Sequence, residues 1–489
     1  MIDVRPVFFI IGWLLVMLAG AMLLPAAVEL NRPESESTVF LIGAAITLFV
    51  GGLLVAVCRS VRPNSQMNRY LTLRQSFLMA VLSWVVLSAF AALPMLLLSD
   101  IELDVTDAMF EAVSGITTTG STVLTGLDEM APGILLWRAL LQWLGGMGII
   151  VTAIAVSPLL RVGGMQIFRI ESSDRSEKVL PRAAQIAGHI GVIYLIMTTV
   201  LVGALYAGGL AIFDAVVHAM TTIATGGFST MDGSVGEFAN PTVEWIIIAG
   251  MVAGSLPFVL YIQLMRGRRA RLLADSQVQA FLGILGVSVA VLTAAHSLVN
   301  SVEPLEALRQ VAFNATSYMT GTGYVTTDFA AWGGFAPAAL FCLMFVGGCA
   351  GSTTCGIKVF RLQVLFAEAR AQFGRLLHPH GVYVPHYAGK PIPAAVATSV
   401  TSFVFLFITA FAVITVALGI AGLDLETAVS GAATAIANVG PGLGETIGPE
   451  GNFSSLNDPA KWVLICGMLL GRLEVLSVLL LFTPGFWRS

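Results

Sequence analysis

Ten long apolar segments alternate with short polar stretches along the chain. Each is about 20 residues or longer, which is the length that an α-helix needs to cross the ~30 Å hydrocarbon core of a bilayer. The pattern therefore predicts ten membrane-spanning helices, and an even number of crossings places both termini on the same side. The predicted spans are 7–28, 38–58, 76–98, 133–158, 185–210, 243–265, 278–299, 336–364, 395–421 and 461–483.

The basic residues indicate how these spans are oriented. Of the 25 Lys and Arg residues, 20 lie at the termini and in the loops of one face, and loops that retain positive charge are cytoplasmic. We therefore predict that both termini are cytoplasmic. The opposite face is acidic, with Asp104, Asp107, Glu111 and Asp128 among its residues. An acidic mouth concentrates cations; the alternative is that these acids only solvate the outer loops.

The composition agrees with a membrane protein and excludes nucleic-acid binding as a main role. Of the 489 residues, 56% are hydrophobic and 11% are charged, whereas soluble proteins have about 25% charged residues. A soluble fold of this composition would expose large apolar patches. The net charge of −4 leaves no basic footprint for nucleic acid, so we exclude nucleic-acid binding as a main role.

The cysteines and the first apolar run add little chemistry. The five cysteines lie in or beside apolar segments without a CxxC pair, which indicates neither a disulfide framework nor a zinc site. The first apolar run continues past Leu24 without a signal-peptide cleavage site, so we expect this helix to be retained. The cysteines are Cys58, Cys342, Cys349, Cys355 and Cys466.

One short pattern, Ala-x-[Ser/Thr]-x-[Ile/Met]-[Thr/Ala]-x-x-Gly, occurs four times between paired spans. Its closing glycines are 107, 96 and 117 residues apart, and four evenly placed copies indicate an internal repeat. We call the last four residues of each copy a filter loop. The loops are Thr117-Thr118-Thr119-Gly120, Ala224-Thr225-Gly226-Gly227, Thr320-Gly321-Thr322-Gly323 and Ala437-Asn438-Val439-Gly440.

Each copy lies in a weakly apolar stretch that is too short to cross the membrane. The stretch begins as a predicted half-helix, for example 107–117 or 214–224, and ends in Thr- and Gly-rich backbone that cannot continue a helix. Irregular backbone at membrane depth persists only where it lines a cavity or is buried in protein. We therefore predict that four half-helices direct their carboxyl ends and the following carbonyls at a central cation. The alternative is that the loops only pack one span against another.

The chemistry of the loops favours a monovalent cation. They offer threonine, glycine and asparagine rather than the carboxylates that Ca²⁺ and Mg²⁺ prefer, and backbone oxygens can replace the hydration shell of K⁺. We predict K⁺ at the filter backbone as a transported ion, with no catalytic residue and no cofactor. The predicted filter residues are Thr118, Thr119, Gly120, Thr225, Gly226, Gly227, Gly321, Thr322, Gly323, Asn438, Val439 and Gly440.

These observations predict an all-α integral membrane protein with one pore per subunit. Four units of span, pore helix, loop and span surround the pore, and the first two spans form an additional pair. The predicted boundaries are 1–65 for the additional pair and 70–165, 183–270, 276–375 and 394–489 for the four pore units.

The eighth predicted span is interrupted by residues of low helix propensity between Gly347 and Gly356. We predict an unwound gate segment, residues 347–356, just below the third filter loop. The alternative is close packing of small residues. The predicted gate residues are Gly347, Gly348, Gly351, Ser352, Thr353, Thr354 and Gly356, together with Arg472.

Two charged residues, Arg472 and Glu474, lie halfway along the last predicted span. A charge inside the membrane costs at least ~2.5 kcal/mol and marks a pathway or a pairing role. Because these residues are two apart, they point to different faces of a helix. A purely structural role is the alternative.

The histidines give no catalytic or metal-binding pattern. His378, His380 and His386 cluster in a loop that Pro379 and Pro385 keep from being helical, and we favour a solvated loop over a metal site. The other three are far apart in sequence and form neither a haem pair nor a catalytic set. They are His189, His218 and His296.

Together these motifs make the chain similar to the Trk/Ktr/HKT superfamily of potassium transporters, and most of all to its TrkH branch. The additional N-terminal pair resembles TrkH rather than the eight-span KtrB branch. Further motifs that carry the resemblance are Trp143-Leu144-Gly145-Gly146-Met147-Gly148, Gly351-Ser352-Thr353-Thr354-Cys355-Gly356-Ile357-Lys358 and Gly471-Arg472-Leu473-Glu474.

The resemblance implies K⁺ uptake across the bacterial inner membrane, with Rb⁺ also accepted. It implies a homodimer with one pore in each subunit, regulated by a cytosolic TrkA-like ring of nucleotide-binding domains. It also implies that Arg472 binds carbonyls of the gate segment or forms a positive barrier beneath the filter.

Two departures from the family pattern stand out. The third filter loop reads Thr320-Gly321-Thr322-Gly323 where the family more often has three threonines, and we expect this to soften ion selectivity. Cys355 stands where a glycine is usual and adds a thiol to the gate segment.

Three other functions compete with potassium uptake. A sodium-permeable or sodium-coupled transporter of the same fold is the nearest. A transporter of organic solutes would place its broken helices in two inverted halves, which four copies in one orientation disfavour. A membrane-embedded enzyme would need a nucleophile and base, a metal cluster or a P-loop, and the sequence shows none of these. The sequence leaves open whether transport is passive or coupled to protons.

Overall fold

The computed structural model is almost entirely helical, which confirms the prediction of an all-α membrane protein. The structure describes residues 2–30, 36–59, 71–98, 103–152, 179–267 and 270–488, with only the backbone described at 179–186, 270 and 271. Within these residues the only strands form one short antiparallel pair between the third and fourth units, β1 (His386–Tyr387) and β2 (Lys390–Pro391).

The N-terminal pair of helices is held together by close backbone contact. Ideal Cβ atoms built on Gly12 and Gly51 would each lie 2.9 Å from the other glycine's carbonyl oxygen. Small residues allow helices in a membrane to approach in this way. The pair also contacts the first unit, where Glu29 accepts a hydrogen bond from the Gly133 amide at 2.6 Å.

The same order of helix, half-helix, loop and helix then occurs four times. The helices in chain order are α1 (Arg5–Glu29), α2 (Ser37–Cys58), α3 (Leu73–Ala91), α4 (Leu93–Leu96), α5 (Val105–Ile116), α6 (Pro132–Val151), α7 (Val179–Ala207), α8 (Ile212–Ile223), α9 (Pro241–Ser255), α10 (Phe258–Met265), α11 (Ala270–Ala274), α12 (Ser276–Asn300), α13 (Pro304–Thr320), α14 (Phe335–Met344), α15 (Val359–Leu377), α16 (Ala394–Ile420), α17 (Leu425–Ala437), α18 (Gly444–Ile447), α19 (Asp458–Arg472), α20 (Val475–Leu481) and α21 (Pro484–Trp487). The strands are β1 (His386–Tyr387) and β2 (Lys390–Pro391).

The closing helices of the second, third and fourth units are all broken. Helices α9 and α10 meet at 95°, and α19 and α20 meet at 110°. In the third unit, α14 ends at Met344 and α15 begins only at Val359. The sequence predicted the interruption in the third unit but missed the other two.

Helix lengths agree with a protein that crosses the membrane many times. Among the described residues, seven helices are long and apolar enough to cross a membrane, and nine are if each bent pair counts as one span. These nine correspond to nine of the ten predicted spans. The remaining one, 336–364, is divided between α14 and α15, so the total of ten crossings stays a prediction.

Several predictions concern residues outside the described ranges. They include the end of the predicted span 133–158 and most of the segment between that span and the next, which carries five of the 20 basic residues of the predicted cytoplasmic face (Arg161, Arg169, Arg175, Lys178 and Arg182). Asp100 and Glu102, two further acids of the predicted outer face, also lie outside the described ranges. The predicted boundaries of the N-terminal pair and of the four units stay predictions.

Candidate ion pathway

The four half-helices, α5, α8, α13 and α17, begin toward one face and end in the filter loops. Asp104 caps the first by accepting a hydrogen bond from the Asp107 amide at 2.7 Å, and Asp424 caps the fourth by accepting one from the Thr427 amide at 3.1 Å. Such caps satisfy amides at the start of a helix that have no partner within it. Hydrogen bonds from Thr427 lower the pKa of Asp424 from its ordinary value.

The repeated sequence pattern encodes one helix ending four times. In each copy, the second loop residue has a positive φ angle and the third donates its amide to the carbonyl five residues earlier. This is the Schellman arrangement, which terminates a helix and satisfies its last carbonyls. The φ angles are 54° at Thr118, 50° at Thr225, 70° at Gly321 and 52° at Asn438. The hydrogen bonds run from Thr119 to Ser114 (2.9 Å), Gly226 to Thr221 (2.9 Å), Thr322 to Ser317 (2.9 Å) and Val439 to Thr434 (3.1 Å).

The closing glycines join the four loops into a ring, which we call the filter ring. Each closing glycine faces the carbonyl of the third residue in the next loop, in chain order, and the fourth loop returns to the first. An ideal Cβ built on the closing glycine measures this approach to the facing carbonyl oxygen. The distances are 2.2 Å from Gly120 to Gly226, 1.8 Å from Gly227 to Thr322, 2.0 Å from Gly323 to Val439 and 3.0 Å from Gly440 to Thr119. All four glycines also have positive φ.

The structure therefore brings together all twelve predicted filter residues. The ends of four half-helices meet at the ring, and the partial negative charge of each carboxyl end favours a cation there. The first three closing glycines are partly exposed, whereas Gly440 is buried. That these residues bind K⁺ stays a prediction.

A glycine in the closing helix supports the half-helix end in three of the four units. Each glycine lies against the carbonyl oxygen of an isoleucine at the end of the half-helix in its own unit. An ideal Cβ on the glycine would lie 1.9 Å from that oxygen for Gly145 and Ile116, 2.9 Å for Gly254 and Ile223, and 2.1 Å for Gly471 and Ile436. These contacts make the three glycines equivalent in position. They also explain why the motifs containing Gly145 and Gly471 cannot carry larger residues at these points.

Gln142, which the sequence analysis did not single out, braces the second filter loop. Its side-chain amide donates to the Gly226 carbonyl at 2.6 Å, and its carbonyl oxygen accepts from the Phe228 amide at 3.1 Å. An ideal Cβ on Gly226 would lie 2.4 Å from Gln142 Cδ. The side chain of Gln142 therefore occupies the space that a side chain at position 226 would need.

Glu111 and Arg138 form a buried ion pair behind the first and second loops. Arg138 Nε donates to Glu111 Oε1 at 2.7 Å, and Arg138 also donates to the Ser229 carbonyl at 3.0 Å and stacks on the Phe228 ring at 4.1 Å. Glu111 accepts further hydrogen bonds from the Thr122 hydroxyl and the Val123 amide. The sequence placed Glu111 among the acids of the outer face, and the structure shows its side chain fully buried in this pair, so it does not contribute to an exposed acidic mouth.

The gate segment lies against the filter ring. The Cys355 thiol is 4.0 Å from the Thr118 hydroxyl, and the Thr225 hydroxyl donates to that of Thr353 at 3.2 Å. An ideal Cβ on Gly321 would lie 3.8 Å from the Cys355 amide nitrogen. The segment thus contacts the second residue of three filter loops.

The irregular backbone of the gate segment is satisfied by the break in the second unit. The carbonyls of Gly254 and Ser255, at the end of α9, accept from the amides of Thr353 (3.2 Å) and Cys349 (3.1 Å). In return, the Phe258 amide at the start of α10 donates to the Gly351 carbonyl at 3.0 Å. Backbone groups at a helix break have no partner within their own helix, and such groups must be satisfied inside a membrane. Here each break supplies the hydrogen-bond partners of the other.

The gate segment also folds back on itself. The amide of Gly347 donates to the Ile357 carbonyl at 2.9 Å, and an ideal Cβ on Gly347 would lie 2.0 Å from the Cys355 carbonyl oxygen. Gly351 and Gly356 have positive φ angles of 76° and 69°. Ser352 and Thr354 share a hydrogen bond of 2.8 Å between their hydroxyls.

Arg472 joins the gate segment to the first and fourth units. Its guanidinium donates to the carbonyls of Thr353 (3.3 Å) and Gly145 (3.4 Å) and contacts the Cys355 thiol. The carbonyl contact agrees with what the family resemblance implied. Glu474 lies at the break after α19 with a φ of 58° and pairs with Arg361 at 2.6 Å. That Arg472 controls the gate stays a prediction.

A cavity of about 70 Å³ lies beside the gate segment. Its lining combines the segment with residues of the first, third and fourth units. The charged residues that line it are Lys358, Arg361, Arg472 and Glu474.

A signal in the sequence could have revealed one of the missed breaks. Pro257 lies two residues after the end of α9, and a proline disfavours helix in the residue before it, here Leu256. The pairing of Arg361 with Glu474 spans 113 residues and carries no local signal. Among the described residues, the His, Cys, Asp and Glu side chains form no group of three or more that could hold a metal.

Comparison with known proteins decides the family. The family model described as "TrkH: Cation transport protein" matches residues 36–488. The chain belongs to the TrkH family. This family consists of transporters and not of enzymes, as the sequence predicted.

Individual TrkH-family proteins resemble the chain over its whole length. The Trk system potassium uptake protein TrkI of Halomonas elongata is 46% identical over 485 residues, which cover 99% of this chain and 97% of that protein. TrkH of Salmonella typhimurium is 38% identical over 491 residues, with 99% of both chains covered. The crystal structure of the potassium transporter TrkH from Vibrio parahaemolyticus superposes with a TM-score of 0.91 at 36% identity and covers 100% of both chains.

Proposed function

We propose that the chain takes up K⁺ across the bacterial inner membrane through the filter ring. The observation that carries this proposal is the closed ring of four loops, each ending a half-helix in the same way. Four carboxyl ends and their carbonyls offer a dehydrated K⁺ ion oxygen ligands without a full negative charge. TrkH-family relatives that are named as potassium uptake proteins support the choice of ion.

In this proposal the gate segment controls flow on the inner side of the ring. It contacts Thr118 and Thr225 and is held by Arg472, so K⁺ leaving the ring meets a polypeptide plug with a positive charge behind it. Opening requires the segment to move and its hydrogen bonds to Gly254 and Ser255 to be exchanged or broken. A cytosolic partner can drive this movement only by binding the open state more tightly than the closed one.

The assembly is also part of the proposal. We propose a homodimer with one pore in each subunit, cytoplasmic termini, acceptance of Rb⁺, and a cytosolic TrkA-like ring that senses a nucleotide. The family resemblance and the distribution of basic residues support these features.

The nearest alternative is a sodium-permeable or sodium-coupled transporter. Gly321 favours the sodium-permeable alternative, because the third filter loop lacks the threonine side chain that the first and second loops carry at the same position. Relative fluxes separate the two functions.

The test is ion flux into proteoliposomes that hold the purified full-length chain. We expect K⁺ and Rb⁺ to enter faster than Na⁺, and Gly323→Ser to reduce this preference. Gly283→Ser is the matched control, because Gly283 lies in α12 with no atom within 4 Å of an ideal Cβ. Equal or greater flux of Na⁺ in the unaltered chain would favour the alternative, and flux ratios unaffected by Gly323→Ser would remove the ring from the pathway.

A further inference from the structure

The cavity beside the gate segment has an unusual set of charges. Three basic residues line it, Lys358, Arg361 and Arg472, against one acid, Glu474. Arg361 and Arg472 are 1% and 3% exposed, and Lys358 is partly buried. The charged residues that line the cavity therefore carry an excess of two positive charges.

The single carboxylate does not serve all three cations. Glu474 pairs with Arg361, whose guanidinium also lies 3.7 Å over the Phe403 ring. Among the described residues, no carboxylate lies within 4.0 Å of a side-chain nitrogen of Lys358 or Arg472. These two cations are instead solvated by neutral groups, the Thr354 carbonyl and hydroxyl for Lys358 and the Thr353 and Gly145 carbonyls for Arg472.

The buried charge of Arg472 therefore has only neutral groups as its hydrogen-bond partners among the described residues. A charge that is taken out of water without a counter-charge is costly. One negatively charged acceptor in the cavity compensates this charge.

We propose that this cavity binds a small monovalent anion of the halide type between Lys358 and Arg472. The volume of about 70 Å³ accommodates a halide with a water molecule and favours it over a large organic anion such as gluconate. A single negative charge leaves a net positive charge in the cavity, so the site still repels K⁺, but less strongly. This last consequence rests on the proposed function, whereas anion binding itself does not.

Trp84 provides a reporter for the site. The Arg472 guanidinium lies 5.7 Å from the centre of its ring, so bromide beside Arg472 lies within range to quench its fluorescence. The part of the tryptophan signal that belongs to Trp84 is the part lost in Trp84→Phe, because seven other tryptophans remain.

The experiment titrates bromide into the detergent-solubilised full-length chain, replacing gluconate at constant ionic strength and constant K⁺. We expect saturable quenching of the Trp84 signal, together with a rise of about 2 °C in unfolding temperature at a tenfold excess over the dissociation constant. Lys358→Met should abolish both effects. Lys390→Met, the same substitution in the exposed hairpin, should leave both unchanged.

Two results would overturn the proposal. One is a Trp84 signal and an unfolding temperature that do not depend on which anion is present. The other is a saturable effect that persists in Lys358→Met, which places the anion elsewhere. If Lys358→Met does not fold, the comparison of the unaltered chain with Trp84→Phe still decides whether bromide reaches the cavity. Because neither readout measures transport, failure here leaves potassium uptake standing.

Discussion

The side chain of Gln142 fills the place of a missing side chain at Gly226. The third residue of the other filter loops is Thr119, Thr322 or Val439, and only the second loop has a glycine there. The Gln142 amide donates to the Gly226 carbonyl at 2.6 Å from α6, the closing helix of the first unit. The second loop is therefore shaped by a residue of its neighbour, and the ring is not symmetric in its chemistry.

We expect Gln142→Met to alter ion selectivity while the chain still folds. Met251 and Met468 lie three residues before Gly254 and Gly471, as Gln142 lies three before Gly145, so methionine suits this position in the other units. Loss of one hydrogen bond of about 1 kcal/mol to a filter carbonyl corresponds to a change of about fivefold in relative K⁺ and Na⁺ flux. Flux ratios in proteoliposomes measure this, with Gln279→Met on the exposed face of α12 as the control. An unchanged ratio would mean that this hydrogen bond does not tune the filter.

The four closing glycines should not be equally sensitive to substitution. Serine at Gly120, Gly227 or Gly323 places Cβ within 2.2 Å of a carbonyl oxygen, whereas at Gly440 the nearest oxygen is 3.0 Å away. All four positions also carry the strain of a positive φ, about 1–2 kcal/mol for a non-glycine residue. We expect Gly440→Ser to retain more K⁺ over Na⁺ preference than the other three. The same flux assay ranks the variants. If Gly440→Ser is as impaired as the other three, the positive φ angle rather than the distance from Cβ to the facing carbonyl determines the loss of selectivity.

Removing Arg472 should open the pore in the absence of any partner. Its guanidinium holds the Thr353 carbonyl of the gate segment and adds positive charge beneath the ring. We expect ⁸⁶Rb⁺ uptake into proteoliposomes to rise in Arg472→Ala and in a chain with part of 347–356 deleted. Arg472→Lys keeps the charge but loses the forked donor, so its rate separates the electrostatic from the hydrogen-bonding effect. Rates equal to the unaltered chain in all three variants would make the segment a packing element.

The Glu111–Arg138 pair should be needed for stability as a pair. Arg138→Met leaves the fully buried Glu111 carboxylate without its cation, which costs about 3–5 kcal/mol. The double variant Glu111→Gln with Arg138→Met removes both charges and should recover much of this loss. Thermal unfolding in detergent measures both. A double variant less stable than Arg138→Met alone would show that the charges themselves, rather than their pairing, stabilise the loops.

Thiol labelling in intact cells tests the orientation. In a chain whose native cysteines are replaced by alanine, a membrane-impermeant reagent should reach Glu237→Cys but not Lys390→Cys, because the basic loops predict that residue 390 is cytoplasmic. Both positions are exposed in the structure. The reverse labelling pattern would invert the predicted topology.

Local sequence was sufficient for the parts of the pathway that local physics controls. The filter loops could be found because one pattern that closes in glycine occurs four times, and glycine permits the positive φ that each closing position adopts. The broken third unit could be found because 347–356 is poor in helix formers. Long apolar runs likewise predicted the spans, since the bilayer thickness sets their length.

Tertiary structure decided what lies next to what. Ser255 to Phe258 becomes a break because its free carbonyls and amide find partners in the gate segment, and no pattern within either segment predicts that exchange. Nothing in the local sequence distinguishes Glu111 from an exposed outer acid. Its side chain is buried because it pairs with Arg138, 27 residues away. In the sequence, Gln142 is one polar residue in an apolar span. Only the structure shows that its partner is the Gly226 carbonyl, 84 residues further along the chain. Local preferences are encoded by neighbours in the chain, whereas the partners of a buried polar group are set by packing between units.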